Sequence, residues 1–142
     1  MIAVDTNILV HAHRSESPWH TRARDAVAAL AESRSIWGIP WPCLHEFLSV
    51  VTKRVFKTPT PLPVALGNIE AWLASPGHIL LSETHQHWVT LKRLVETGRI
   101  TGGAIHDARI AAICLDHGVS ELLTADRDFS RFPELKTRNP LI

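Results

Sequence analysis

Apolar and polar positions along the chain follow two periods. Short, largely apolar runs at Ile2–Asp5, Ile36–Ile39, His78–Leu81 and Leu122–Thr124 have the length and flanks of buried strands. The segments between them repeat every three to four residues, as helices do. Thr6-Asn7 has the side chains to cap a helix directly after the first strand. Ser17-Pro18 reads as an N-cap followed by proline at the first helical position, with Ala23, Val27 and Leu30 as an apolar stripe running to about Ser33. Pro42 opens a helix whose Leu44, Phe47, Leu48, Val51 and Val55 share one face. Thr58 to Pro63 carries three prolines and reads as a rigid turn into a helix from about Val64 to Ala74. Further helices are expected from about Thr84 to Glu96 and from Ala104 to His117, the latter ended by Gly118 as a C-terminal cap. Lys136–Arg138 has the character of a short edge strand.

Strands alternating with helices predict an α/β fold built on a mainly parallel sheet covered on both faces. No repeat, low-complexity tract or flexible linker interrupts the pattern, so residues 1–142 are expected to form a single domain. In such sheets the functional crevice lies beyond the carboxyl ends of the strands. Asp5 and Asp126 each follow a strand at that end.

Composition narrows the class without naming a function. Hydrophobic residues make up 45% and charged residues 20%, a globular balance. No apolar stretch approaches the roughly 18 residues that would read as a membrane span, and the N-terminus lacks the basic and apolar regions of a signal peptide. Cys43 and Cys114 fall among apolar helical neighbours and are read as reduced core residues of a cytoplasmic protein. The net charge of +1 gives little indication of a polyanionic partner. Basic residues nevertheless cluster locally, as Lys53/Arg54/Lys57, Lys92/Arg93/Arg99 and Arg127/Arg131.

Four acids stand where a solvated carboxylate would be out of place. Asp5 ends a buried strand, Glu46 lies in the apolar helical stretch Leu44 to Val51, Asp107 is near the start of an Ala-rich helix, and Asp126 follows Leu122-Leu123-Thr124-Ala125. Two such charges about 4 Å apart repel by roughly 4 kcal/mol at an effective dielectric near 20. A divalent cation would compensate that repulsion. An all-oxygen donor set suits Mg²⁺ or Mn²⁺ better than zinc. Held by carboxylates, such an ion can activate water for an in-line displacement at a phosphodiester.

These motifs resemble the PIN-domain ribonucleases, and within them the VapC toxins of type II toxin–antitoxin pairs. The matching pieces are Asp5-Thr6-Asn7, His45-Glu46-Phe47-Leu48, His106-Asp107-Ala108-Arg109-Ile110-Ala111 and Thr124-Ala125-Asp126-Arg127-Asp128-Phe129. The resemblance implies a three-layer α/β/α fold with about five strands and Mg²⁺- or Mn²⁺-dependent cleavage of RNA by metal-activated water. It makes Asp5, Glu46, Asp107 and Asp126 the catalytic and metal-binding quartet. Thr6, Asn7 and Thr124 would be hydrogen bonders behind the quartet, and Asp128 either an aid to a second metal or a local turn cap. It also implies a cognate VapB-type antitoxin, a homodimer and no membrane partner. Nothing functional transfers to Phe56–Ala74, which matches no motif.

Other residue classes point elsewhere. The pairs His11/His13 and His85/His87 have a spacing poorly suited to shared coordination on a helix and are read as surface or core-edge residues. His45 and His106 neighbour proposed catalytic acids, but adjacent helical positions diverge by about 100°. The five tryptophans are able to stack on unpaired bases, with burial in the core or an interface the competing expectation. Two other functions are weighed: a non-catalytic PIN-like binding module, and a housekeeping PIN nuclease without a toxin role. Neutralising Asp5 or Asp107 is expected to abolish cleavage while holding or raising the melting temperature without metal.

Overall fold

The computed structural model describes residues 1–142. Its elements run β1 (Ile2–Val4), α1 (Thr6–His13), α2 (His20–Glu32), β2 (Trp37–Pro40), α3 (Trp41–Val51), α4 (Leu62–Leu73), β3 (His78–Leu81), α5 (His87–Gly98), α6 (Ala104–Asp116), β4 (Glu121–Leu123) and β5 (Thr137–Arg138). A 3₁₀ turn over Arg127–Arg131 lies between β4 and β5. All five strands are parallel, in the order β3-β2-β1-β4-β5. The expected α/β architecture is therefore present, including the short edge strand near Arg138.

Strand order places the crevice. From β1 the chain steps to β2 and then β3 on one side, and from β3 it returns across the sheet to β4 on the other side of β1. Right-handed crossovers put helices from opposite steps on opposite faces. Packing agrees, since α1 contacts α2 and α3, while α5 contacts α6. The strand order reverses at β1, so a cleft opens between the carboxyl ends of β1 and β4. Register keeps those ends level: Val4 pairs with Leu123, and the next amide, Asp5 N–H, donates to Leu123 O at 3.0 Å.

The core forms because β1, β2 and β4 are apolar on both faces, with Ala3, Val4, Trp37, Ile39, Leu122 and Leu123 all buried. Ile8 and Leu9 of α1, Cys43, Phe47 and Val51 of α3, and Ala108, Ala111 and Ala112 of α6 close over it. Phe47 is fully buried, edge-on to His13 and Trp72 at 5.5 and 5.0 Å. Truncating it would cost about 3–5 kcal/mol and loosen the helix that carries Glu46. Cys43 and Cys114 are buried free thiols.

Several boundaries differ from those the sequence suggests, each for a local hydrogen-bonding reason. Helix α2 starts at His20 rather than after Ser17, because the Ser17 hydroxyl closes a turn on Trp19 N–H instead of capping a helix. Helix α5 starts at His87 rather than Thr84: Thr84 Oγ1 accepts from Gln86 N–H and donates to Asp116. Helix α3 stops at Val51, where the Thr52 hydroxyl donates to Leu48 O at 2.7 Å. Val55 thus leaves the expected stripe and is 81% exposed. Helix α4 begins two residues early, since prolines fit a first turn whose N–H groups have no helical partner. Gly118, at φ +69°, ends the helical segment after Asp116 in the left-handed conformation expected of it.

Candidate active site

Asp5 is the first residue beyond β1 and also the N-cap of α1, its Oδ1 accepting from Thr6 N–H at 2.8 Å. Capping therefore falls to Asp5 and not, as expected, to Thr6-Asn7. Three more donors reach this carboxylate: Cys43 Sγ at 3.5 Å on Oδ1, and Asn7 Nδ2 at 2.9 Å and Thr124 Oγ1 at 2.7 Å on Oδ2. Both oxygens are thus engaged from behind. Thr124 ties the two strand ends together, since its hydroxyl oxygen also accepts from Asp126 N–H at 3.0 Å. Asn7 bridges the same gap, its Oδ1 accepting from Ala125 N–H at 2.9 Å. Thr6 donates to Glu46 Oε2 at 3.1 Å and so orients the α3 carboxylate.

Asp5, Glu46, Asp107 and Asp126 line one cavity of about 250 Å³, together with Thr6, Asn7, Val10, His11, Val50 and Ile110. No lysine or arginine lines it. Asp107 sits in the first turn of α6, where the helix start favours negative charge. Gly102 reaches that start at φ +63°, a conformation costly for any residue with a side chain. The space around Gly102 and Gly103 is open, with no atom within 4 Å of a virtual Cβ, so conformation and not crowding explains the first glycine.

The convergence of the acids shifts their protonation where they are most crowded or buried. The Asp107 carboxyl is pushed up to about 6, first by desolvation and then by the charges of Asp126, Asp5, Asp128 and Glu46. Burial also raises the Asp5 carboxyl, against the lowering effect of its hydrogen bonds from Thr124, Thr6 and Cys43. The Cys43 thiol is raised by burial and by the Asp5 charge, so it stays a neutral donor.

The tightest group of carboxylate oxygens is Asp107, Asp126 and Asp128, all within 4.8 Å of one another. Asp128 thus brings its carboxylate to the cluster as well as its backbone, which donates to Asp126 Oδ1 at 2.8 Å. Turn capping belongs to Asp126. Crowded oxygen donors, a carboxyl raised by burial and like charge, and a cavity that no basic side chain lines together fit a divalent cation. The groups positioned to hold it are Asp107, Asp126 and Asp128, with Asp5 and Glu46 on the same cavity.

One cavity residue was expected only at the surface or core edge. His11 lines the acidic cleft, with Nδ1 2.7 Å from Ser17 Oγ. Its signal was helical spacing, because His11 is four residues beyond Asn7 on α1. His45 and His106 line a neighbouring cavity of about 520 Å³ that shares Glu46, Asp107 and Ile110 with the acidic one.

Known proteins resemble this chain in sequence and in fold. Residues 2–135 match the PIN domain family. The chain is 37% identical over 142 residues to ribonuclease VapC43 of Mycobacterium tuberculosis, covering 99% of this chain and 96% of that protein. It is 32% identical over 143 residues to ribonuclease VapC25 of the same species, covering all of both chains. Among solved structures, VapBC2 of Rickettsia felis bound to a promoter DNA fragment superposes with a TM-score of 0.71 at 20% identity, covering 98% of each chain.

Proposed function

This chain belongs to the PIN-domain family, and from that premise we propose that it is a metal-dependent endoribonuclease, the toxin of a type II toxin–antitoxin pair. The observation that carries the reading is the convergence of Asp5, Glu46, Asp107 and Asp126 on one cavity that no basic side chain lines. The VapC relatives are named ribonucleases over nearly their whole length, which supports RNA as substrate. Residues 1–142 act as one PIN domain in the cytoplasm, where RNA and a VapB-type antitoxin are both available. The same kinship supports a homodimer. No helix is long and apolar enough to cross a membrane.

A bound Mg²⁺ or Mn²⁺ would lower the pKa of a water and neutralise charge on the scissile phosphodiester. The protein supplies position. Asp5, held by four donors, is the fixed rear wall of the site. Thr124 and Asn7 hold the β4 end, and with it Asp126, in register with Asp5. Thr6 aims Glu46. Asp107, in the first turn of α6, would hold one side of the ion together with Asp126 and Asp128.

The test is incubation of purified protein with total RNA and Mg²⁺, with Asp107→Asn as control, followed by mapping of the ends. Cleavage leaving 5′-phosphate and 3′-hydroxyl ends, abolished by EDTA, is expected. Undiminished cleavage in excess EDTA would remove the metal from the proposal. Growth arrest on expression, relieved by the small open reading frame beside the gene, separates a toxin from a housekeeping PIN nuclease.

A further inference from the structure

Beyond the acidic cleft, a continuous groove runs between α3 and α6. The cavity of His45 and His106 shares Glu46, Asp107 and Ile110 with the acidic one, and Pro42, His45 and Arg109 with a third of about 390 Å³. Trp41 lines that third cavity and is 41% exposed. One helix stripe, Trp41, His45 and Ser49, therefore faces another, His106 and Arg109, at three- and four-residue spacings.

The five tryptophans separate by position. Trp37 is fully buried, and Trp72 packs edge-on against Phe47 at 5.0 Å. Trp19 and Trp88 are exposed but lie outside these three cavities. Only Trp41 is both exposed and in line with the acids. It is five residues before Glu46 on α3, or about 7.5 Å along the axis at 1.5 Å per residue. Its ring meets His45 edge-to-face at 5.9 Å and 74°, and the residue keeps 41% of its surface exposed. Arg109 donates through Nε to Glu83, which offsets its charge. The groove is therefore close to neutral outside the acids, which favours the flat face of a base over a second phosphate.

We propose that this groove is a nucleobase subsite, in which Trp41 stacks on an unpaired base flanking the scissile phosphate while His45, His106 and the Nη groups of Arg109 offer hydrogen bonds to its edge. The subsite rests on the ribonuclease reading above and adds to it the residues that hold the strand. Stacking of this kind tolerates every base, and edge contacts then add a preference.

The experiment compares the parent with Trp41→Ala, Trp41→Phe and Trp88→Ala on a fluorescein-labelled single-stranded 12-mer RNA. Direct binding is measured in an Asp107→Asn background, and melting temperatures establish that each variant is folded. Trp41→Ala should raise both KM and the dissociation constant on the order of tenfold, with kcat within about twofold, the size expected for one stacked base. Trp41→Phe should recover most of that loss, and Trp88→Ala should match the parent. RNA should quench tryptophan fluorescence in the Asp107→Asn protein, and much less so once Trp41 is also Phe. A folded Trp41→Ala protein with unchanged KM and binding would overturn the subsite while leaving the nuclease intact. Unchanged RNA binding with weakened binding of the neighbouring-frame protein would overturn it too, in favour of a protein-docking groove. A parent that cleaves no RNA yet binds it through Trp41 would refute the nuclease reading and keep the subsite.

Discussion

Two regions of this molecule gather charged side chains around a cavity, and they are settled in opposite ways. Around Arg14, just beyond α1, a cavity of about 630 Å³ is lined by His13, Phe56, Lys57, Thr58 and Thr60 among others. Arg14 is only 9% exposed, yet it is satisfied by the chain itself. It pairs with Glu16, donates through Nη1 to Thr58 O at 2.8 Å and Thr60 Oγ1 at 3.2 Å, and lies 4.2 Å over the Phe56 ring. The acidic cleft, smaller by more than half, gathers four acids with no cation of the chain to offset them. Cavity size singles out the Arg14 side, whereas charge balance singles out the acidic cleft. A buried charge paired by its own chain holds a loop in place; a surplus without a counter-charge implies a ligand from outside.

The largest expected effect strikes the acidic side. Asp107→Asn should lower cleavage about 10³-fold, equivalent to about 4 kcal/mol of barrier, with the fold kept by circular dichroism. Activity within tenfold of the parent would erase the contrast between the two regions. On the other side, Arg14→Met should cost about 3 kcal/mol of stability, because Thr58 O and Thr60 lose a buried charged donor. Its cleavage per folded molecule should stay near the parent's, as measured by urea titration alongside RNA assays.

A finer prediction divides the acids themselves. In metal-free buffer Asp107→Asn should stabilise the fold, because the folded chain raises that carboxyl to about 6 from an ordinary value of 3.8. The folded state holds the proton more tightly, so this group favours folding at low pH and loses that contribution as pH rises from about 4 through about 6. The penalty above pH 6 is on the order of 1–2 kcal/mol after allowance for partial exposure. The difference in melting temperature between variant and parent should therefore grow over that window and then level off; a flat difference would show that burial and its neighbours do not raise the Asp107 carboxyl. Asp5→Asn should behave oppositely. Its amide nitrogen would face donors where an acceptor is needed, costing about 1–2 kcal/mol. The expectation of equal tolerance at both positions thus gives way at Asp5, where four hydrogen bonds outweigh the relief of repulsion.

The smallest effect is at the exposed edge of the cluster. Asp128→Asn should weaken Mg²⁺-dependent thermal stabilisation several-fold in midpoint, or about 1 kcal/mol, and an unchanged midpoint would confine Asp128 to its turn.

Much of the fold was legible because strands and helices here are periodic in the simplest sense. Ile2–Val4, Trp37–Pro40 and Glu121–Leu123 are short and apolar, and the Gly118 terminus of the α6 segment follows from backbone conformation alone. The acids were legible because each interrupts an apolar pattern, an anomaly that one dimension can show. The starts of α2 and α5 were not, since Ser17 and Thr84 use their hydroxyls in turns that resemble caps in composition. His11 was read as a surface or core-edge residue because the acids that share its cavity at Glu46, Asp107 and Asp126 lie far along the chain.

By itself the sequence determined the alternation of elements, and hence a parallel sheet, together with the identity of the acids, because burial and backbone preference act on neighbouring residues. Only the tertiary structure decided what those acids become. The reversal of strand order at β1 sets Asp5 beside Thr124 and Asp126, 119 and 121 positions along the chain. The same assembly surrounds Arg14 with partners from residues 56–60 and gathers Asp107, Asp126 and Asp128 without a basic side chain in an ion pair to any of them. Charge balance is a property of distances, and those distances exist only once the strands have paired.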